Sequence, residues 1–339
     1  MSIGRASEMN SIATDSMTYS EPTEVNLDYT QPTDTNPLMP FMPNELGVIG
    51  STRSQEQIEH GPDGLYISDQ LSPNFGERLK NASGMRLLPE TMYLGAGKSH
   101  HQVILGSVQV SDEVGSTETV DVALKEYVTS SGKAFSEMAT LQTVAQRGLK
   151  TFNPLAIYKS GEHSVLITEK FNNLFVLDSS RWDLVPSDSE YEEVAKPIQQ
   201  MASGLAKLHS KGIFHGDAVP KNFAVDDKND IVYFDFEDTV IVPEEEAMST
   251  INGAYSIEES LALKDVVHFW RFQTSPYEVD KPFLITEPPE IVLNEFVVQF
   301  LNPYLDSLSE LSTQTDELFN RNAFYDAAVQ RMSQILGLE

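Results

Sequence analysis

The chain of 339 residues is long enough for one large domain or two small ones, with a core ample for independent folding. Its formal net charge of −28 repels phosphate backbones and anionic lipid, which counts against nucleic acids and membrane surfaces as partners. The chain has no cysteine, which excludes disulfides, thiolate metal sites and cysteine nucleophiles.

Residues 1–82 are predicted to form a largely disordered N-terminal tail. They are rich in Ser, Thr, Asn, Pro and Met, show no sustained hydrophobic periodicity, and contain prolines that interrupt any helix. The apolar patch Pro37–Pro43 could dock on a partner or on the folded domain, or have no docking role. Met1–Asn10 lacks the features of a signal peptide, and no apolar run approaches the roughly 20 residues that span a bilayer. A cytoplasmic location is therefore expected.

From residue 85 onward the pattern indicates a small antiparallel β-rich lobe. Apolar segments flank a glycine-containing turn at Gly95–His101, and Thr119–Tyr127 alternates with period two, as a half-buried strand does. A helix is predicted over Lys133–Gln146, closed by Gly148 just past its C-terminus. Two more strands are predicted around Gly161, which completes a lobe over about residues 85–168.

After a hinge at about residues 169–172, the sequence becomes helical and predicts an α-rich lobe over about 173–339. Between Tyr191 and Leu208, apolar residues recur at alternating steps of three and four and form one stripe. Pro197 lies inside this stripe, where we expect a kink or two abutting helices. The other predicted helices lie near Ile257–Phe272, Glu290–Leu301 and Thr315–Leu336.

The segment His215–Phe223 carries the strongest functional signal. It places Asp217 and Asn222 five residues apart, directly after the helical stripe. A second aspartate, Asp235, follows on an aromatic strand. A carboxylate beside a hydroxyl nucleophile, with an amide and a carboxylate oxygen on a divalent metal, is the set of groups that phosphoryl transfer from a nucleotide requires.

In chain order these features resemble the protein kinase-like superfamily, which includes small-molecule kinases such as the aminoglycoside and choline phosphotransferases. The resemblance covers about residues 86–272 and includes Val122–Lys125, which is similar to the Val-Ala-Ile-Lys signature of the third kinase strand. It implies an α+β bilobal fold over residues 83–339, with a small antiparallel β-rich N-lobe and an α-helical C-lobe. It also implies ATP and Mg²⁺ as cofactors and a hydroxyl-bearing acceptor.

The resemblance assigns the central residues of the site. Lys125 would hold the α- and β-phosphates and pair with a helix glutamate, for which Glu137 is the best match. The separation of twelve residues is shorter than in typical protein kinases. Asp217 would orient toward, or accept, the proton of the attacking hydroxyl, and Asn222 and Asp235 would bind the metal.

The same resemblance assigns the periphery of the nucleotide site. Gly95 and Gly97 occupy the place of the glycine-rich loop, where backbone N–H groups approach phosphate oxygens closely. Backbone groups near Glu169 and Phe171 would bond the adenine edge at the hinge. Asp265 resembles the aspartate that opens a helix of the C-lobe and braces the catalytic loop.

The chain also departs from the kinase pattern. His100 replaces the third glycine of the loop, and Glu237 replaces the glycine of Asp-Phe-Gly. Only 30 residues separate Asp235 from Asp265, which leaves little platform for a peptide substrate and favours a small-molecule acceptor over a protein. Two rival hypotheses remain open, a pseudokinase scaffold that binds nucleotide without turnover and a nucleotidyl transferase that moves AMP on the same fold.

Overall fold

The computed structural model describes fourteen segments of the chain. They are residues 48–51, 64–68, 85–87, 92–96, 102–111, 116–127, 131–161, 163–170, 175–176, 188–226, 228–253, 260–274, 288–312 and 319–338. All of them belong to one compact unit, Phe41–Glu339. The longer strands precede residue 170 and most of the helical residues follow residue 188, so the predicted α+β class is confirmed.

The larger sheet has eight strands and forms most of the β-rich lobe. In the part of the chain that the structure describes, the strands are β1 (Val48–Ser51), β2 (Gly64–Ile67), β3 (Met85–Leu87), β4 (Met92–Ala96), β5 (Gln102–Ser111), β6 (Thr117–Tyr127), β7 (Lys150–Thr151), β8 (Pro154–Ser160), β9 (His163–Glu169), β10 (Phe175–Val176), β11 (Ile213–Phe214), β12 (Phe223–Val225), β13 (Ile231–Tyr233) and β14 (Val240–Ile241). The order across this sheet is β1-β2-β8-β9-β6-β5-β3, and β4 also pairs with β5. The β1–β2 pair is parallel and the other pairs of this sheet are antiparallel.

Two strands of this sheet, β1 and β2, lie inside the stretch that was predicted to be tail. Strand β2 pairs with β8 from Gly64↔Lys159 to Ile67↔Ala156, and Leu65 is completely buried. The structure therefore differs from the expected domain boundary near residue 83. A four-residue strand contains too few alternations to reveal itself in sequence, and its pairing with β8 is what stabilises it. The patch Pro37–Pro43 lies outside the described residues.

Helices make up most of the second lobe, and one further helix, α1 (Ser131–Gln146), packs on the large sheet of the first lobe. Within the described residues they are α1 (Ser131–Gln146), α2 (Asp188–Ser210), α3 (Ala247–Gly253), α4 (Leu261–Thr274), α5 (Pro289–Glu295), α6 (Asn302–Ser312) and α7 (Arg321–Leu336), with a π-helical segment (Phe296–Leu301) between α5 and α6. Helix α2 is one continuous helix through Pro197, so the alternative of two abutting helices is wrong, and the kink stays a prediction. Helix α7 begins after Asn320, whose side chain accepts from the Ala323 N–H, and ends at Gly337 in the left-handed conformation.

Helix α1 packs on one face of the large sheet. Strand residues at alternate positions share one buried apolar cluster with Met138, Leu141 and Val144 of this helix; they are Tyr66, Tyr127, Ile157 and Leu166. Lys125 is opposite Leu166 in the β6–β9 register, so its side chain belongs to the same face. The register therefore directs Lys125 toward α1.

A four-stranded sheet in the order β10-β12-β13-β7 continues from the predicted catalytic segment, His215–Phe223, which is called the catalytic segment below. Strands β12 and β13 form an antiparallel pair that begins just after Asn222 and ends two residues before Asp235. The hydroxyl of Thr151 donates to the carbonyl of Tyr233 at 2.7 Å and ties β7 to this pair. None of the described helices combines the length and the apolar character that crossing a membrane would require.

Candidate active site

Lys125 lies at the centre of a cluster of three carboxylates. Its Nζ atom is 2.9 Å from Glu137 Oε2, 2.5 Å from Asp235 Oδ1 and 2.9 Å from Glu237 Oε1. Glu137 projects from α1, whereas Asp235 and Glu237 follow strand β13. The structure thus brings together a strand lysine, a helix glutamate and an aspartate that lie up to 110 residues apart in sequence.

The charges in this cluster shift the pKa values of its members. Burial alone would lower the pKa of Lys125, but Glu137, Asp235 and Glu237 outweigh burial and raise it. Burial raises the pKa of Glu137 to about 7, although Lys125 acts in the opposite direction. Burial also opposes ionisation of Asp235, yet Lys125 holds its pKa below the usual value. The deeply buried Glu137 therefore holds its proton to a higher pH than Asp235 does.

Replacing Glu137 by glutamine is expected to flatten the pH dependence of stability between about pH 4.5 and 7. The folded protein holds the Glu137 proton up to about pH 7, whereas an unfolded chain releases it near 4.5. The contribution of Glu137 to wild-type stability therefore falls as the pH rises through this window, by up to about 3 kcal/mol. Urea denaturation at several pH values in chelator measures the slope. Glu169→Gln at an exposed position is the control, and an equal wild-type and Glu137→Gln slope would contradict the assignment.

The catalytic segment is held by a buried network beneath it. Asp265 Oδ2 accepts from the His215 N–H at 2.6 Å, and Asp265 Oδ1 accepts from the Gly216 N–H at 2.9 Å. The ring of His209 lies between Asp265 Oδ2, 3.0 Å away, and the hydroxyl of Tyr304, 2.7 Å away. Because Asp265 and His209 are both almost fully buried, this network fixes the backbone that leads into Asp217.

Gly216 is required by both its conformation and its surroundings. Its φ is +79°, and a Cβ at this position would lie 2.1 Å from the carbonyl oxygen of Asp238. Gly216→Ala is therefore expected to lower the free energy of unfolding by about 3 kcal/mol, from left-handed strain plus overpacking. Gly148→Ala is a matched control because Gly148 has φ +73° with no atom within 4 Å of the added Cβ, and should cost about 1 kcal/mol. Chemical denaturation measures both losses, and equal losses of unfolding free energy in Gly216→Ala and Gly148→Ala would refute the role of the contact with Asp238.

Asp217 and Asn222 meet across the loop between them. The amide nitrogen of Asn222 donates to the backbone carbonyl of Asp217 at 2.9 Å and to Asp217 Oδ2 at 3.1 Å. Pro220 begins the short 3₁₀ turn that closes this loop, where its fixed φ favours the turn. Because the amide nitrogen binds Asp217, the carbonyl oxygen of Asn222 is the atom that can ligate a metal.

Asp235 adopts an unusual backbone conformation beside the metal-binding candidates. Its φ is +64°, which is uncommon for a residue other than glycine and is concentrated at functional sites. The backbone N–H of Phe234 donates to the backbone carbonyl of Asn222 at 3.2 Å. The two predicted metal ligands, Asn222 and Asp235, therefore lie on paired segments. Ligand oxygens of Glu137, Asp235 and Glu237 all lie within 4.8 Å of one another. Carboxylate and amide oxygens are the donors that Mg²⁺ prefers, so these residues fit a divalent cation.

The protein is similar to a solved structure of WaaP in complex with acyl carrier protein, with 12% sequence identity, a TM-score of 0.40, and coverage of 72% of this chain and 88% of that chain. No curated protein matches the chain.

Residues 123–241 match the sequence model of the lipopolysaccharide kinase (Kdo/WaaP) family. The matched stretch contains Lys125, Glu137, Asp217, Asn222 and Asp235. The chain contains a protein kinase-like domain. The resemblance predicted from sequence is confirmed, and the protein is assigned as a kinase, a phosphotransferase with a hydroxyl acceptor. The family also implies ATP as the phosphoryl donor.

The structure describes only part of the predicted nucleotide periphery of the kinase-like domain. Gly95 is opposite Val103, and Val103 is opposite Lys125, so Gly95 lies in line with the lysine across three strands. Glu169 ends β9, where its N–H donates to the Asn153 carbonyl at 2.9 Å, and its side chain is exposed. Gly97 and Phe171 lie outside the described residues. The roles predicted for these residues remain predictions.

Three residues of the kinase-like site have positions that sequence reasoning did not supply. The hydroxyl of Tyr127 donates to Glu137 Oε2, Glu237 makes a direct ion pair with Lys125, and His268 lies beside Asp217. Tyr127 follows Lys125 by two residues on strand β6, so the alternation of the strand predicts that both side chains point to the same face. His268 follows Asp265 by three residues on α4, which places both on one side of that helix.

Proposed function

We propose that the protein is an ATP- and Mg²⁺-dependent phosphotransferase of the cytoplasm. It moves the γ-phosphate of ATP to a hydroxyl of a small-molecule acceptor, and a sugar of the lipopolysaccharide type is the leading acceptor class. The family match of residues 123–241 supports the acceptor class. The observation that carries the proposal is the meeting of Lys125, Glu137 and Asp235 in one ion cluster.

The residues divide the work of phosphoryl transfer. Lys125, oriented by Glu137 at 2.9 Å, supplies a fixed positive charge for the nucleotide phosphates. Asp235 and the carbonyl oxygen of Asn222 would hold the divalent cation, with Glu237 within reach of the same position. A bound cation neutralises negative charge that develops on the phosphate oxygens. Asp235 and Glu237 also contact Lys125 directly, so the residues that would hold the cation lie beside the lysine that would hold the phosphates.

Asp217 acts on the acceptor side of the same site. Its side chain is 37% exposed, so a hydroxyl can approach it from solvent, while the Asn222 amide holds one of its two carboxylate oxygens. The acceptor O–H is oriented by Asp217 and gives up its proton to that carboxylate as the oxygen bonds to phosphorus. The bond from the γ-phosphorus to the bridging oxygen breaks, and ADP leaves with the electron pair.

The decisive experiment measures Mg²⁺-dependent ATP consumption across sugars, lipopolysaccharide core fragments, amines, nucleosides and generic proteins. Wild type is expected to turn over with a sugar acceptor, and Asp235→Asn is expected to lose both turnover and Mg²⁺-dependent nucleotide binding. Absence of turnover with retained nucleotide binding would favour the pseudokinase scaffold. Mass spectrometry that finds AMP on the acceptor would replace phosphoryl transfer by nucleotidyl transfer.

A further inference from the structure

Helix α4 is anchored to the catalytic segment through one residue. Asp265 accepts from two consecutive backbone N–H groups, those of His215 and Gly216. Phe269, one turn further along the helix, is fully buried and stacks edge to face on Phe223 with ring centroids 5.4 Å apart. These contacts fix both the position and the rotation of α4 relative to Asp217.

The same rotation places His268 beside Asp217. The Nδ1 atom of His268 is 3.8 Å from Asp217 Oδ1, whereas the other carboxylate oxygen, Oδ2, accepts from Asn222. The side chains of His268 and Asp217 are 30% and 37% exposed, so both border the solvent from which an acceptor arrives. The oxygen of Asp217 that receives the acceptor hydroxyl is therefore the oxygen that faces an imidazole.

The two atoms do not hydrogen-bond each other directly, and both are open to one ligand that contacts them from the solvent side. A distance of 3.8 Å exceeds the roughly 3.2 Å limit of an N–H···O hydrogen bond. Two neighbouring hydroxyls of a sugar ring lie within hydrogen-bond distance of each other, and one can donate to Asp217 Oδ1 while the second accepts from His268 Nδ1–H. We propose that His268 determines acceptor specificity by binding the oxygen next to the reacting hydroxyl. The proposal rests on the function proposed above and deepens it.

Two substitutions separate the hydrogen bond from the bulk of the ring. The amide nitrogen of asparagine is placed like Nδ1 of histidine, whereas that of glutamine is placed like Nε2. H268N should therefore retain the donor that faces Asp217, and H268Q should lose it. We expect H268Q to reduce kcat/KM for the acceptor about tenfold, as for one lost hydrogen bond, with H268N within threefold of wild type. The KM for Mg²⁺-ATP should stay unchanged in both.

Deoxy acceptors identify the oxygen that His268 binds. With methyl hexopyranosides, removing the hydroxyl next to the reacting one should cost wild type about tenfold in kcat/KM. The same deletion should cost H268Q nothing further, because its partner is already gone. A full tenfold loss on the deoxy sugar in H268Q, or a wild type indifferent to that hydroxyl, would overturn the proposal.

A binding measurement keeps this inference separate from the proposed function. Calorimetry with a non-hydrolysable ATP analogue, Mg²⁺ and the same sugars reports acceptor affinity without turnover. Sugar binding that weakens in H268Q and not in H268N would support the role of His268 in acceptor binding, even where wild type transfers no phosphate. Absence of phosphoryl transfer in wild type would then refute only the proposed function. Turnover in wild type with H268N and H268Q indistinguishable would refute only the role of His268.

Discussion

Asp217→Asn is expected to reduce phosphoryl transfer by about 10²–10⁴-fold, the range of a lost general base. Asparagine has the size of aspartate and keeps an oxygen for the Asn222 amide, which now donates to Asp217 Oδ2 at 3.1 Å. The loop should therefore retain its shape, and only the ability to take up a proton is lost. Single-turnover kinetics at saturating acceptor measures the chemical step.

The same variant should bind Mg²⁺-nucleotide with nearly unchanged affinity. Lys125 and Asp235, which are assigned to phosphate and metal, contact each other directly, and their ion pair does not include Asp217. Asp230→Asn is a matched control because Asp230 is an exposed aspartate whose partner is Lys150. Asp217→Asn that retains turnover within threefold of wild type would contradict the role of Asp217 as base. Loss of nucleotide binding in Asp217→Asn would contradict the division of labour.

Asp265→Asn is expected to cost about 3 kcal/mol of unfolding free energy. One of its two oxygens would become an N–H₂ group and would face either the His215 N–H or the Gly216 N–H, leaving a buried donor unsatisfied. The ring of His209 would also lose its anionic partner, which is now 3.0 Å away in a fully buried position. Chemical denaturation followed by circular dichroism measures the loss.

An exposed aspartate gives the control for this prediction. Asp306 forms an ion pair with Arg321 at 2.6 Å, but its side chain is 66% exposed. Asp306→Asn should therefore change stability by less than about 1 kcal/mol. Should Asp265→Asn prove as mild as Asp306→Asn, the network beneath the catalytic segment would not be stabilising the fold. A mild loss would also remove the argument that α4 is fixed relative to Asp217.

Local patterns determined the groups that enter the site. The alternation of strand β6 was enough to put Lys125 on the same face as Ala123, because successive side chains of a strand point to opposite faces. The spacing of Asp217 and Asn222 suffices to place both on one short loop closed by Pro220. Helix α1 also follows from sequence, since its stop at Gly148 requires a left-handed residue that glycine adopts without strain.

Only the tertiary structure decided which of these groups meet and what surrounds them. The contact of Lys125 with Asp235 joins residues 110 apart and depends on how β6, β9 and β13 are arranged. The pairing of β2 with β8, the ion pair of Glu237 with Lys125 and the approach of His268 to Asp217 leave no periodic trace in sequence. Periodicity reports the face of one element, whereas these contacts depend on the relative placement of several elements, which long-range packing fixes.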